Sequence, residues 1–291
     1  MEVRYAPLLH TNEGLPLPVI LQAVLEGMAD AERDYGIQSR VIVCGIRNMS
    51  PMASFRMAEL AIAFKHNGVV AFDLAGAELD NPAKDHVRAF QLILNDNVNC
   101  TLHAGEAYGP ESIHQAIHYC GAHRIGHGVR LAEDGDLLNY INDHRIALEV
   151  CPTSNVQTGA VKDLASHPLR FYYDYGLRVT INTDNRLITN TTVTQELQRA
   201  HDQMDFTLDE LVQIIVFGFK ASFLPLREKQ QLLLDVNAEI ERLIAHPVMP
   251  EGADRGEDAS ATASYVARYR TQRPSRRPRP RFDKSNSTVN E

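Results

Sequence analysis

The sequence predicts a parallel α/β barrel of the (β/α)8 TIM type, and three observations predict it. Short runs rich in Val and Ile alternate with longer segments whose apolar residues recur at helical spacing, which implies parallel strands joined by right-handed crossovers. Three of these runs end abruptly on a side chain that can do chemistry, namely His103 with Glu106 just after it, His127 and Asp184. The C-terminal ends of barrel strands are where such folds keep their active sites. Finally, 291 residues with 44% hydrophobic content suit one barrel plus an extension.

Taken in order, residues 2–9 read as a strand with Pro7 near its end, and 17–35 places Val19, Leu21, Val24, Leu25 and Met28 at helical spacing. Residues 40–46 are a β-branched run stopped at Arg47-Asn48, followed by an alanine-rich helix over 52–66 that Asn67-Gly68 closes. The third strand, 69–74, ends in Asp73-Leu74-Ala75-Gly76, and 83–95 is the next helix. Residues 98–102 lead into His103, with 111–120 helical behind them. A short fifth strand spans 123–126, a helix 133–143, and a sixth strand 146–151, apolar throughout except for Glu149. After a short helix over 168–175 ended by Gly176, residues 178–183 form the seventh strand. Three helices, 192–201, 207–219 and 227–245, then cover the last face and end of the barrel.

Seven strands are one fewer than a closed barrel of this type needs. An open sheet is the alternative, but the clustering of polar strand ends around one chemistry favours a barrel lacking its first βα unit. The expected organisation is a partial barrel over 1–249 and a tail over 250–291. The tail is rich in Arg and Pro and too poor in apolar residues to offset its ordering entropy, so it is expected to be disordered.

A net charge of −8 does not suit a nucleic-acid binder, and neither an export signal nor a membrane span is apparent, so a cytoplasmic protein is expected. The four cysteines, Cys44, Cys100, Cys120 and Cys151, are far apart and read as buried thiols in a reducing compartment. Paired CxxC spacing, a GxSxG elbow and a phosphate-binding P-loop are all absent.

Of the 12 histidines, only His103 and His127 combine a strand-end position with glycine neighbours that let a ligand approach the backbone. The others, His86 and His167 among them, read as structural. His123 starts the strand that His127 ends and is expected to face the opposite end. Asp184 has a competing explanation as the cap of the next helix. Histidine, aspartate and glutamate at neighbouring strand ends are the parts of a metal-assisted hydrolase.

Thr101-Leu102-His103-Ala104-Gly105-Glu106, His123-Arg124-Ile125-Gly126-His127-Gly128 and Asn182-Thr183-Asp184-Asn185, in this order and at these separations, resemble the adenosine deaminase family. Glu2-Val3-Arg4-Tyr5-Ala6-Pro7, Asp73-Leu74-Ala75-Gly76-Ala77-Glu78 and Cys151-Pro152-Thr153-Ser154-Asn155 are similar to other strand ends of that family. The resemblance covers about residues 2–245. It implies a (β/α)8 barrel with one Zn2+ that hydrolyses the 6-amino group of a purine nucleoside.

Carried onto this chain, the resemblance makes His103 and Asp184 zinc ligands and Glu106 the proton donor to purine N1. His127 would orient and deprotonate the metal-bound water, the Gly76 backbone would meet the purine, and Asn185 would bond N7. The implied activity is deamination of adenosine and 2'-deoxyadenosine to inosine and ammonia. Adenine, an adenine nucleotide or a modified adenosine is the alternative substrate, with Arg47, Arg130 and Arg186 as candidate phosphate contacts; a metal-poor pseudo-enzyme is the alternative from another class. The implied partner is a small purine nucleoside rather than nucleic acid or membrane.

Two departures stand out. The family's HxH pair, which supplies two further zinc ligands from its first strand, is absent, and that is also the strand missing from the count. An N-terminally incomplete sequence that holds zinc weakly and turns over slowly is therefore expected. Asn185 also stands where the commonest family pattern has aspartate. The HxE and PCxxC signature of cytosine-type zinc deaminases is not matched, since two residues separate His103 from Glu106.

Overall fold

A computed structural model describes residues 1–245. The chain divides into two compact units, Met1–Leu224 and a second beginning at Pro225. The expected boundary at 249/250 and the tail beyond it lie outside the described residues.

The first unit is built on seven parallel strands, β1 (Glu2–Tyr5), β2 (Arg40–Ile46), β3 (Val69–Ala75), β4 (Asn99–Ala104), β5 (Arg124–His127), β6 (Ala147–Val150) and β7 (Val179–Ile181). They lie in sequence order, each pairing with the next. Helices α1 (Leu17–Tyr35), α2 (Pro51–Ala63), α3 (Val87–Asn95), α4 (Pro110–His118) and α5 (Gly135–Asp143) follow β1 to β5. The short α6 (Pro152–Gln157) and α7 (Leu169–Tyr175) lie between β6 and β7, and α8 (Arg186–Thr189), α9 (Val193–Gln203) and α10 (Leu208–Ala221) follow β7. This is the expected partial (β/α)8 barrel, a curled half-barrel with helices around it. The second unit contributes α11 (Leu226–Ala245), a helix with no buried side chain.

Strand residues alternate between two environments because successive Cβ atoms point to opposite faces. Phe72, Leu102, Ile125 and Leu148 join Phe90 of α3 and Ile113 of α4 in the main apolar core, where a fully buried side chain of this size contributes roughly 1.5–3 kcal/mol. The residues between them carry charge. Arg4 of β1 reaches Asp73 of β3 at 3.1 Å and Glu149 of β6 at 2.6 Å, so strands far apart in sheet order meet across the concave side. Arg124 of β5 completes the network, 2.6 Å from Glu149 and 2.7 Å from Glu2.

All seven expected strands are present, six with at most small shifts at their ends; the first, expected over 2–9, stops at Tyr5, and Pro7–His10 form a 3-10 turn that the proline, which has no N–H to give a sheet, begins. β5 begins at Arg124 and takes in His127, one residue later than expected. Helices α6 and α8 were not expected, since four to six residues are too few to show a helical period. Capping accounts for the starts of the later helices, as in the reciprocal pair of Thr192 with Gln195 at α9. All four cysteines are buried and unbridged, as the sequence suggested. No described helix is long and apolar enough to cross a membrane.

Candidate active site

The register of β4 against β5 sets the centre of the site. His103 lies beside Gly126, and Ala104 beside His127. A Cβ at Gly126 would stand 3.1 Å from the His103 Cα, so any side chain there would push the two strands apart by a few tenths of an ångström at this level. The rings of His103 and His127 are consequently 5.2 Å apart. His127 itself has φ of 63°, a left-handed conformation that costs a residue with a Cβ roughly 1–2 kcal/mol and turns it at the strand end.

His103 is held from behind. Its Nδ1 lies 2.9 Å from Oδ2 of the fully buried Asp73, and its carbonyl accepts from Arg47. Burial lowers the His103 pKa, but the Asp73 charge and hydrogen bond, with Asp184 adding to them, leave it raised overall. Asp73 is driven the other way: burial raises its pKa, and His103 and Arg4 together hold it far below the usual carboxylate range. With Nδ1 donating to Asp73, Nε2 of His103 is the atom left for a ligand, the carboxylate-histidine arrangement that orients metal-binding imidazoles.

Glu106 follows on the turn after β4. Its Oε2 lies 3.5 Å from His127 Nε2, and its Oε1 accepts from Thr158 at 3.0 Å. The turn is gripped by Glu78, whose buried carboxylate accepts from the backbone N–H groups of Gly105, Glu106, Ala107 and Tyr108 at 2.6–3.0 Å.

Asp184 stands just past β7 with φ of 54°, and its Oδ2 accepts from Ser154 at 2.7 Å. Burial raises its pKa, but His127, the Ser154 hydrogen bond and His103 outweigh that and lower it. The cap of the following helix is Asn185, not Asp184: Asn185 Oδ1 accepts from Leu187 and Ile188 N–H at 3.2 Å, and its Nδ2 takes no part in the cap. Gly76 follows β3 directly. The six residues singled out in the sequence thus stand after or at the ends of β3, β4, β5 and β7.

Several contributors escaped the sequence reading. Asp73 was seen only as part of a strand-end string, and His167 was set aside as structural. His167 is buried and linked through the buried Asn155 to His127. Asp73 carried a usable signal, a carboxylate inside an apolar strand. His167 carried none, because its partner is set by the fold. Others of the histidines behave as expected: His123 accepts from Cys100 N–H at the start of β4, and His86 packs against Ser54 and Arg47. Of the phosphate candidates, Arg47 bonds the carbonyls of Asn81 and His103, and Arg130 forks onto Glu133.

The donor set fits part of a zinc site. A neutral His103 offers Nε2 and Asp184 an oxygen, both ordinary zinc donors, but a catalytic zinc keeps at least three protein ligands. Among the described residues no group of three or more His, Cys, Asp or Glu is placed to hold a metal.

Comparison with known proteins places these residues in a family. The family described as Adenosine deaminase matches residues 1–239. A probable adenosine deaminase from Dictyostelium discoideum is 42% identical over 224 residues, which are 77% of this chain and 29% of that protein. An adenosine deaminase from Mycobacterium sp. (strain JLS) is 43% identical over 249 residues, covering 81% of this chain and 69% of the relative. Among solved structures, an adenine deaminase from Arthrobacter aurescens superposes with a TM-score of 0.77 at 28% identity, covering 82% of this chain and 73% of its own. The chain therefore spans under a third of the Dictyostelium relative and about two thirds of the mycobacterial one. With a family match across most of its length and a half-barrel whose strand ends carry His103, Glu106, His127 and Asp184, this chain belongs to the adenosine deaminase family, a family of metal-dependent hydrolases.

Proposed function

We propose that this chain carries most of the active site of a zinc-dependent enzyme that hydrolyses adenosine and 2'-deoxyadenosine to inosine or its deoxy form, with release of ammonia. The observation that carries the reading is the juxtaposition of Glu106 with His127 at 3.5 Å, beside His103 and within reach of the Asp184 charge. His103 and Asp184 would hold zinc, which when bound supplies a Lewis acid that brings the pKa of water to about 7.

The remaining chemistry falls to side chains of this chain. Water adds across the C6–N1 double bond of the purine: its oxygen joins C6, Glu106 delivers a proton to N1 and regains one from the water, and the amino group takes the remaining hydroxyl proton and leaves as ammonia while C6 becomes a carbonyl. Protonating N1 keeps negative charge from building on the ring, so Glu106 acts as the acid. His127 orients the attacking water. Asn185 presents Nδ2 to N7, an acceptor that a side-chain amide suits. The backbone at Gly76 meets the purine edge.

The alternative substrate, free adenine, draws on the likeness to the Arthrobacter adenine deaminase. For an adenine nucleotide, Arg47 and Arg130 already serve backbone carbonyls and Glu133, so the exposed Arg186 is the phosphate contact of that alternative. Ammonia release with zinc supplied, from adenosine, 2'-deoxyadenosine, adenine and AMP at equal concentration, tests the proposal. Preference for the two nucleosides supports it, and preference for adenine or AMP moves the reading to the alternative. Zinc bound without ammonia from any of the four overturns it.

A further inference from the structure

A buried file of hydrogen bonds runs from the backbone at the start of α7 to the face of His127. Leu169 N–H lies 3.0 Å from His167 Nδ1, His167 Nε2 lies 3.2 Å from Asn155 Oδ1, and Asn155 Nδ2 lies 3.0 Å from His127 Nδ1. His127, Asn155 and His167 are each less than 5% exposed, so these groups answer to one another rather than to bulk solvent.

The direction of the file follows from its first member. A backbone N–H can only donate, so His167 Nδ1 must accept and the ring proton of neutral His167 sits on Nε2. That N–H donates to the Asn155 carbonyl oxygen, which turns the Asn155 amide N–H toward His127. Turning the amide over would place an N–H against His167 Nε2 and require a ring with no proton on either nitrogen, which no neutral imidazole supplies. Burial, with His127 adding to it, lowers His167 to about 4, which keeps the ring neutral at ordinary pH.

We infer that His167 and Asn155 are positioning residues that set the tautomer of His127, fixing its lone pair on Nδ1 and its proton on Nε2, the atom that faces Glu106 and the reaction centre. Tautomer control by a partner on the far ring nitrogen is a general device for histidines at reaction centres. Here it narrows the role of His127. An Nε2–H imidazole donates to the oxygen of a water or of the tetrahedral centre and takes up no proton at that atom, so His127 orients rather than deprotonates. That consequence rests on the deaminase reading; the tautomer does not.

Ring 15N NMR of the full chain, recorded without zinc or substrate near neutral pH, tests the inference, with the His127 signals assigned by their loss in His127→Gln. The expected spectrum has a protonated Nε2 and a bare Nδ1. In Asn155→Asp, a near-isosteric change, both carboxylate oxygens accept, so the His127 proton moves to Nδ1 or the ring becomes doubly protonated. His167→Phe removes the donor that orients the amide, and the single tautomer gives way to a mixture. A wild-type His127 protonated on Nδ1 overturns the inference whatever the variants do. So does an unchanged Nε2–H tautomer in either variant when folded. Because these spectra involve no turnover, a failure here leaves the deaminase proposal standing, and a chain without deaminase activity leaves this result readable.

Discussion

Asp73 Oδ2 and His103 Nδ1 lie 2.9 Å apart, and the same carboxylate oxygen takes Arg4 at 3.1 Å. One buried carboxylate therefore joins the site to the charge network that fills the concave side of the sheet. Asp73→Asn keeps the shape and removes the charge. Apparent zinc affinity, measured by competition with a chelator, should fall about 10- to 100-fold, the usual effect of losing an outer partner of a metal-binding histidine. Unchanged affinity in the folded variant would separate Asp73 from metal binding.

Glu149 gives the network a pH signature. Burial raises its pKa, but Arg124, Arg4 and the hydrogen bonds from Arg4 and Thr101 outweigh that and hold it at about 2. A carboxyl depressed from its ordinary 4.5 stabilises the fold above that value, and the contribution is lost as pH falls from about 4.5 towards 2. Glu149→Gln should cost roughly 3 kcal/mol at pH 7, since the buried Arg124 and the half-buried Arg4 each lose a partner, and should flatten the acid limb of stability. Urea unfolding at pH 7, 4 and 3 reads both effects; an equally steep acid limb in the variant would assign the pH dependence to other groups.

Glu106→Gln keeps a polar side chain that can still bond Thr158 but cannot deliver a proton to N1. In the zinc-loaded protein, turnover should fall about 10²–10⁴-fold with zinc content and melting temperature nearly unchanged. Activity within a factor of a few of wild type would remove Glu106 from the acid role.

Asp184 and Asn185 are adjacent and should separate cleanly. Asp184→Ala should release zinc. Asn185→Ser keeps an oxygen that can cap α8, limiting the cost to a few tenths of a kcal/mol, but withdraws Nδ2 from the purine. Discrimination between adenosine and 7-deazaadenosine, which lacks N7, should largely vanish with zinc retained. If Asn185→Ser strips the metal, or discrimination persists, the N7 contact lies elsewhere.

Much of this was legible because it is local. The string from Thr101 to Glu106 contains the end of a strand, His103 as the proposed ligand and the turn that carries Glu106 as the proposed acid, so neighbours in sequence are neighbours in the candidate site. The same holds for Asp184 and Asn185 after β7. What stayed hidden depends on which strands the fold brings together. Arg4 and Glu149 come from β1 and β6, and only the curl of the sheet makes them partners. Asn155 lies in α6, too short to announce itself by periodicity, and His167 precedes a helix with no strand-end signature. The competing cap explanation for Asp184 belonged one residue later, at Asn185, because the two have equal cap propensity and only backbone geometry distinguishes them.

The turn after β4 has a further consequence. Four successive amide hydrogens, one on Oε1 and three on Oε2 of a single carboxylate, form a concavity of the kind that elsewhere cradles a phosphate. Here the Glu78 carboxylate occupies it, and the chain carries its own anion where a guest anion would sit. A phosphorylated guest would find that seat taken by the host, and any welcome for its negative charge would have to come from flexible cations at the rim rather than from the backbone of this turn.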